Sequence, residues 1–150
     1  MAVDYTQTGT AVGHQSVGTR SPYGLELWIT GAAATAAKGS ALAAADILQV
    51  LEIPAGSLLL GCECEIMTAD TGTTLTFDIG IAGADEFVDG GDATTAGYLA
   101  IGTNGLISYS DPLRVPSADT LDVTLKTLSS SEDDWVARLV VTLQDISSKG

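Results

Sequence analysis

Apolar residues recur at every second position through much of this chain. Leu75, Phe77 and Ile79 alternate with Thr74, Thr76 and Asp78. Leu121, Val123 and Leu125 alternate with Asp122, Thr124 and Lys126, and Ala137, Leu139, Val141 and Leu143 with Arg138, Val140, Thr142 and Gln144. A period of two places one set of side chains on each face of a sheet, so these segments predict strands with one buried face. Leu25, Leu27 and Ile29, alternating with Glu26 and Trp28, predict an earlier one. Leu58, Leu60, Cys62, Cys64 and Ile66 are expected to point inward, with Glu63 and Glu65 outward. In residues 46–53, Ile47, Leu51 and Ile53 fall on one face, Leu48 and Val50 on the other. A strand apolar on both faces is expected either at the centre of the core or under a second subunit.

The punctuation between these segments is that of an all-β chain. Pro54-Ala55-Gly56 marks a turn, and Asn104-Gly105 sits near the tip of a predicted hairpin joining 98–101 to 106–109. Pro112 and Pro116 bracket a short edge piece, Leu113 to Val115. A polar run, SSSEDD, separates the last two predicted strands, 120–128 and 135–146. Residues 31–46, GAAATAAKGSALAAAD, are rich in the best helix former, but Gly31 and Gly39 interrupt them and no apolar stripe forms. A loop or irregular strand is expected there. Residues 80–97 read as one long loop, which in a compact domain carries a function or an interface. The expected organisation is a polar, extended N-terminal arm over 1–22, one domain over 23–146 and a frayed tail over 147–150. About eight short strands with Gly- and Pro-rich turns predict an antiparallel β-sandwich or jelly roll.

Charge narrows the range of partners. Six basic residues against 19 acidic give a formal net charge of −13. That sign repels phosphate backbones, so no nucleic-acid partner is expected; a basic partner fits better. The N-terminus lacks a basic start followed by an apolar block, and no apolar run reaches membrane-spanning length. A soluble protein with no membrane partner is expected. Cys62 and Cys64, two apart on one strand, are poorly placed to bridge each other and read as small buried hydrophobes. Reduced thiols fit a protein assembled in cytoplasm.

Candidate chemistry is sparse. Asp85, Glu86, Asp89 and Asp92, with Asp78 just before them, could offer oxygen ligands to a cation. Their spacing does not follow an EF-hand, and a solvated acidic loop is the reading taken, with no metal and no cofactor. The single histidine, His14, lies in the arm, far from the cysteines and from any partner for a nucleophile. Paired carboxylates could hydrolyse a glycosidic bond, but few aromatics accompany them. No enzyme is expected. Trp28 and Trp135 are the candidates for stacking on a sugar, with core or subunit packing the commoner fate of a strand tryptophan.

One stretch resembles a known family. Ile53-Pro54-Ala55-Gly56, Thr68 to Gly72, Asp78 to Gly80 and Phe87 to Gly90 occur in an order similar to that in small head decoration (cement) proteins of tailed phages. The resemblance covers about a third of the chain and rests on turn-like motifs. It implies a β-rich, homotrimeric, non-enzymatic virion protein that binds the major capsid protein on the outer surface of the shell. Trp28, Leu48, Val50 and Trp135 are then the residues expected to pack between subunits. Val3, Tyr5, Val12 and Tyr23 are those expected to touch the capsid through the arm. The alternative is a carbohydrate-binding module or tail-associated adhesin that uses the 80–97 loop.

Overall fold

The alternating segments become the strands of two sheets packed face to face. The computed structural model describes residues 2–4, 10–12, 22–81, 85–99, 113–128 and 133–145. In chain order the elements are β1 (Ala2–Asp4), β2 (Thr10–Val12), β3 (Tyr23–Thr30), α1 (Gly31–Lys38), β4 (Ile47–Ile53), β5 (Ser57–Thr68) and β6 (Leu75–Ile81). Then follow β7 (Val88–Asp92), β8 (Gly97–Tyr98), β9 (Leu113–Val115), β10 (Asp119–Leu128) and β11 (Val136–Asp145). The first sheet has the order β1-β4-β10-β6-β7, and the second β2-β3-β11-β5-β8. Strand β9 pairs with the start of β5 at Ser57–Leu59, while β8 pairs near its end at Glu65 and Ile66. Every pairing is antiparallel except that of β1 with β4.

From β3 onward the chain passes from one sheet to the other at almost every connection. Strands β3, β5, β8, β9 and β11 lie in the second sheet, and β4, β6, β7 and β10 in the first. This interleaving is the wrap of a jelly roll. Side chains of the two inner faces form one core that includes Leu27, Ile29, Leu59, Ile66, Leu75, Phe77, Ile79, Leu121, Leu125 and Leu139. Each such side chain contributes about 1.5–3 kcal/mol on full burial, which makes the inner faces the main source of stability.

Four departures from strict alternation have structural causes. Opposite Leu121 and Asp122 the ladder runs from Leu51 to Gln49 and skips Val50. This bulge changes the phase of β4, so Leu48, Val50, Leu51 and Ile53 are all buried in the protomer. The two-faced pattern therefore needs no second subunit to cover it. A second bulge skips Leu60 between the pairs Gly61–Thr142 and Leu59–Leu143. Leu59, not Leu58 or Leu60, consequently joins Cys62, Cys64 and Ile66 in the core. Residues 31–38 form a helix, contrary to the expectation of a loop. The Thr30 side chain caps it by accepting from the Ala33 N–H at 3.1 Å, and Gly39 ends it at φ 77°. The glycines that looked like interruptions mark the helix ends. Lastly, the expected 80–97 loop holds β7 and, at its end, the first residue of β8.

The two described stretches of the expected arm, β1 and β2, lie along the chain's own sheets, one in each. The expected 98–109 hairpin and the 147–150 tail fall outside the described residues, apart from Tyr98 and Leu99 at the hairpin's start.

Candidate functional site

The outward face of the second sheet carries a continuous row of side chains across four strands. Arg138 on β11 stands opposite Trp28 on β3 and Glu65 on β5, and Glu65 stands opposite Tyr98 on β8. The next row has Val140 between Glu26 and Glu63. Alternation fixes this face, because the intervening residues Leu27, Ile29, Cys64, Ile66, Ala137 and Leu139 are the ones turned into the core. Trp28 is 43% exposed, Met67 42% and Tyr98 68%. These are the large exposed hydrophobics among the described residues, and all three lie on β3, β5 or β8 of this sheet. Met67 continues the outward phase of Glu63 and Glu65 and is the extra residue of a further bulge, between the pairs Thr68–Val136 and Ile66–Ala137. At an interstrand spacing of about 4.8 Å, the backbones beneath the two aromatic rings are on the order of 14 Å apart.

A polar network holds the row. Arg138 donates from Nη2 to Glu65 Oε2 at 2.7 Å and to the Tyr98 hydroxyl at 3.2 Å, and its Nη1 lies 3.8 Å from Glu26 Oε2. The Trp28 indole N–H donates to Glu26 Oε1 at 2.6 Å. Partial desolvation pulls the Arg138 pKa down, but the charge of Glu65 and then Tyr98 and Glu26 leave it above its ordinary value. Partly exposed pairs of this kind contribute little to stability, because solvent screens them. What the network supplies is position: one guanidinium orients Glu65, Glu26 and Tyr98, and Glu26 in turn holds Trp28. The arrangement offers a broad, amphipathic surface and no nucleophile with an adjacent base.

The acidic loop is spent internally. Carboxylate oxygens of Asp78, Asp85 and Asp89 lie within 4.8 Å of one another. Asp78 is buried and accepts the Gly90 N–H at 2.8 Å, pinning the irregular pairing of β6 with β7. Lys126, the residue skipped by the β10–β6 ladder, places its ammonium 2.9 Å from Asp78 Oδ2. The hydrogen bond that Lys126 donates to Asp78, followed by the charge of Asp78, raises the Lys126 pKa. Glu86 accepts the Ile81 N–H, and Asp92 accepts the N–H and hydroxyl of Thr94. A tethered ammonium thus occupies the position from which a cation would meet Asp78.

The expected subunit-packing residues separate. Leu48 and Val50 have no exposed surface and Trp135 is 2% exposed, so within this fold they pack inside the protomer and have no area to give a neighbour. Trp28 alone of the four reaches the surface, and Trp135 is lost to sugar stacking for the same reason. Of the arm residues, Val3 is in register with Leu48 and Val12 with Gly24, while Tyr23 opens β3 half-buried against the core. Tyr5 is outside the described residues. Tyr98 sits in no run with a readable period, whereas Met67 extends the outward phase of Glu63 and Glu65 by one step. The signal that could have found Tyr98 is a lone aromatic flanked by Gly97 beside a predicted turn.

Cys62 and Cys64 are unbridged and buried. Burial, then the neighbouring charges, raises both thiols, that of Cys64 to about 12 from an ordinary 9.0. Neither thiol is expected to react with an aromatic disulfide reagent at pH 8 until the protein is unfolded, when both should; a fast-reacting thiol in the native protein would contradict the burial. Because the folded value lies above the unfolded one, the thiols' contribution is intact below pH 9. It falls as pH rises from about 9 towards 12, where the unfolded chain sheds protons that the folded chain keeps.

No protein-family model matches the chain, and no curated protein matches it. Three solved structures share its fold. A chain of the capsid of Ralstonia phage GP4 matches with a TM-score of 0.61 at 14% identity, over 91% of this chain and 92% of that one. A chain of the cyanophage Pam1 capsid asymmetric unit gives 0.56 at 19% identity, over 92% and 94%. The acidic stable capsid structure of Helicobacter pylori bacteriophage KHP30 gives 0.54 at 11% identity, over 84% and 90%. The likeness runs almost end to end in each pair, so this chain has the fold of a whole chain in a phage capsid.

Proposed function

We propose that this chain is a non-catalytic structural protein of a tailed-phage virion, a decoration protein that binds the major capsid protein on the outer surface of the shell and does so as a homotrimer. The observation that carries the reading is the jelly-roll wrap shared nearly end to end with chains from three phage capsids. The sequence resemblance around Ile53-Pro54-Ala55-Gly56 and Phe87 to Gly90 points the same way, from different residues. A net charge of −13 suits a protein docking on basic ground, and repeated weak contacts on a lattice add up without any single tight interface.

The test is addition of the purified protein to expanded capsids that lack it. Saturable co-sedimentation, a higher temperature of capsid disruption and a light-scattering mass three times that of one chain are expected. A monomer that stays in the supernatant would overturn the proposal. Carbohydrate binding keeps Trp28 of its two tryptophans and gains Tyr98 on the same face; it is separable by retention on immobilised polysaccharide.

A further inference from the structure

The three exposed hydrophobics and the chain's charge converge on one surface. We propose that the outward face of the second sheet, where Trp28, Met67 and Tyr98 surround Arg138, is the surface that docks on a basic, apolar-bearing patch of the capsid shell protein. The proposal rests on the decoration-protein reading and adds to it which face of the sandwich meets the shell.

The residue types fit a protein partner. Trp, Tyr, Met and Arg are those enriched at the centres of protein–protein contacts, where two-torsion aromatic rings bury large area at small entropic cost. The face is broad, and its two aromatics stand at opposite ends of a four-strand row. Two open grooves among the described residues, one lined by Glu52, Pro54 and Asp119 and the other by Glu86 and Arg114, share no residue with it.

Charge selects among occupants. In the two rows that carry Trp28 and Tyr98, Glu26, Glu63 and Glu65 outnumber Arg138, so this part of the face is acidic on a chain that is acidic overall. A second copy would set carboxylates against carboxylates, and a phosphate backbone would be repelled. A surface bearing Lys or Arg beside apolar side chains would complement both the carboxylates and the rings. Arg138 touches Glu65, Glu26 and Tyr98, and Glu26 holds the Trp28 indole, so Arg138 is a positioning residue that keeps the anchors set before contact.

The experiment compares the wild type with Trp28→Ala/Tyr98→Ala and with Glu63→Lys in co-sedimentation with expanded, undecorated capsids over a salt series. Light scattering and thermal melting accompany each protein. The double variant is expected to keep its melting temperature within a few degrees and its oligomeric mass, while the concentration for half-saturation rises at least tenfold. Glu63→Lys should weaken binding several-fold and flatten its salt dependence. Wild-type binding with undiminished binding by the double variant would overturn this inference and leave the decoration reading standing. A change of oligomeric mass in the double variant would assign the face to a second copy, and Trp28-dependent retention on polysaccharide would assign it to a glycan; either overturns it. Failure of the wild type to sediment with capsids would remove the decoration reading and this inference together.

Discussion

Trp135→Ala is expected to destabilise the protein by about 3–5 kcal/mol, since truncating a buried aromatic removes its transfer free energy and leaves a cavity that the surroundings fill only in part. The indole is 2% exposed and sits where the end of β3, the start of α1 and the start of β11 meet. The contact is close enough to dictate a neighbour's identity. A Cβ placed on Gly31 would lie 2.6 Å from Trp135 Nε1 and 2.6 Å from the Asp133 carbonyl oxygen, so only glycine fits. The Gly31 N–H also donates to the Trp135 carbonyl at 3.0 Å, tying the helix start to the last strand. For a domain whose total stability is about 5–15 kcal/mol, the loss is a large fraction, with a fall in Tm on the order of 10 °C. Guanidinium unfolding would measure it. Trp135→Phe retains a ring and removes an N–H that has no acceptor among the described residues, so it should lose less than the alanine variant. Trp28→Ala, on a side chain 43% exposed, should stay within about 1 kcal/mol of wild type. Equal losses for the two tryptophans would show that the core does not lie where the strands place it.

That contrast marks the limit of what the sequence revealed. Period-two alternation located the strands and their apolar buried faces over 75–79, 121–125 and 137–143, because the extra residues of the bulges along these spans lie on the partner strands. Where a ladder takes in one extra residue, the phase flips and the pattern misleads. Val50 made β4 look apolar on both faces, and the bulge at Leu60 turned Leu59 inward in place of Leu58 and Leu60 while Cys62, Cys64 and Ile66 kept the expected face. Bulges depend on the partner strand, so a single segment read alone gives no sign of them. The helix was legible and was read past: Thr30 before an alanine run with Gly39 behind it is a cap-and-stop pair. The candidate face was half legible. Trp28 stood out as polar-phase and aromatic, whereas Arg138, Glu65 and Tyr98 become neighbours through strand pairings 40 and 73 residues apart in the chain. Of the five acidic residues grouped by sequence, Asp78, Asp85 and Asp89 come together, while Glu86 and Asp92 accept from Ile81 and Thr94. Their cation was not legible, because Lys126 arrives from β10 through a bulge.

Asp46→Ala is expected to cost about 3–5 kcal/mol, the penalty for removing one partner of a buried ion pair and leaving the other charge uncompensated. Lys38 and Asp46 side chains are 7% and 4% exposed, and Lys38 Nζ lies 2.6 Å from Asp46 Oδ2. The same carboxylate accepts the Ala43 N–H at 2.8 Å, and the same ammonium donates to the Ala41 carbonyl at 2.8 Å. These four groups close the segment between α1 and β4 on itself. The backbone around Asp46 then clamps β10, with Leu125 donating to the Asp46 carbonyl at 2.9 Å and Ala45 donating to the Leu125 carbonyl at 2.7 Å. Ala45 is held at φ 70°, a conformation an alanine adopts only when its surroundings enforce it. Asp46→Ala would strand the Lys38 ammonium, orphan the Ala43 N–H and loosen that enforcement, so helix, strand and Ala45 should relax together. Lys38→Met with Asp46→Asn separates the contributions: no charge remains, and the amide oxygen still accepts from Ala43. The double variant is expected to lose only about 1–2 kcal/mol, well short of the sum of the single changes. Urea unfolding of the four proteins gives the coupling between the two residues directly. Additive losses would show that the pair acts as two independent surface charges, and the segment from 39 to 46 would then owe its shape to the backbone clamp on β10 alone.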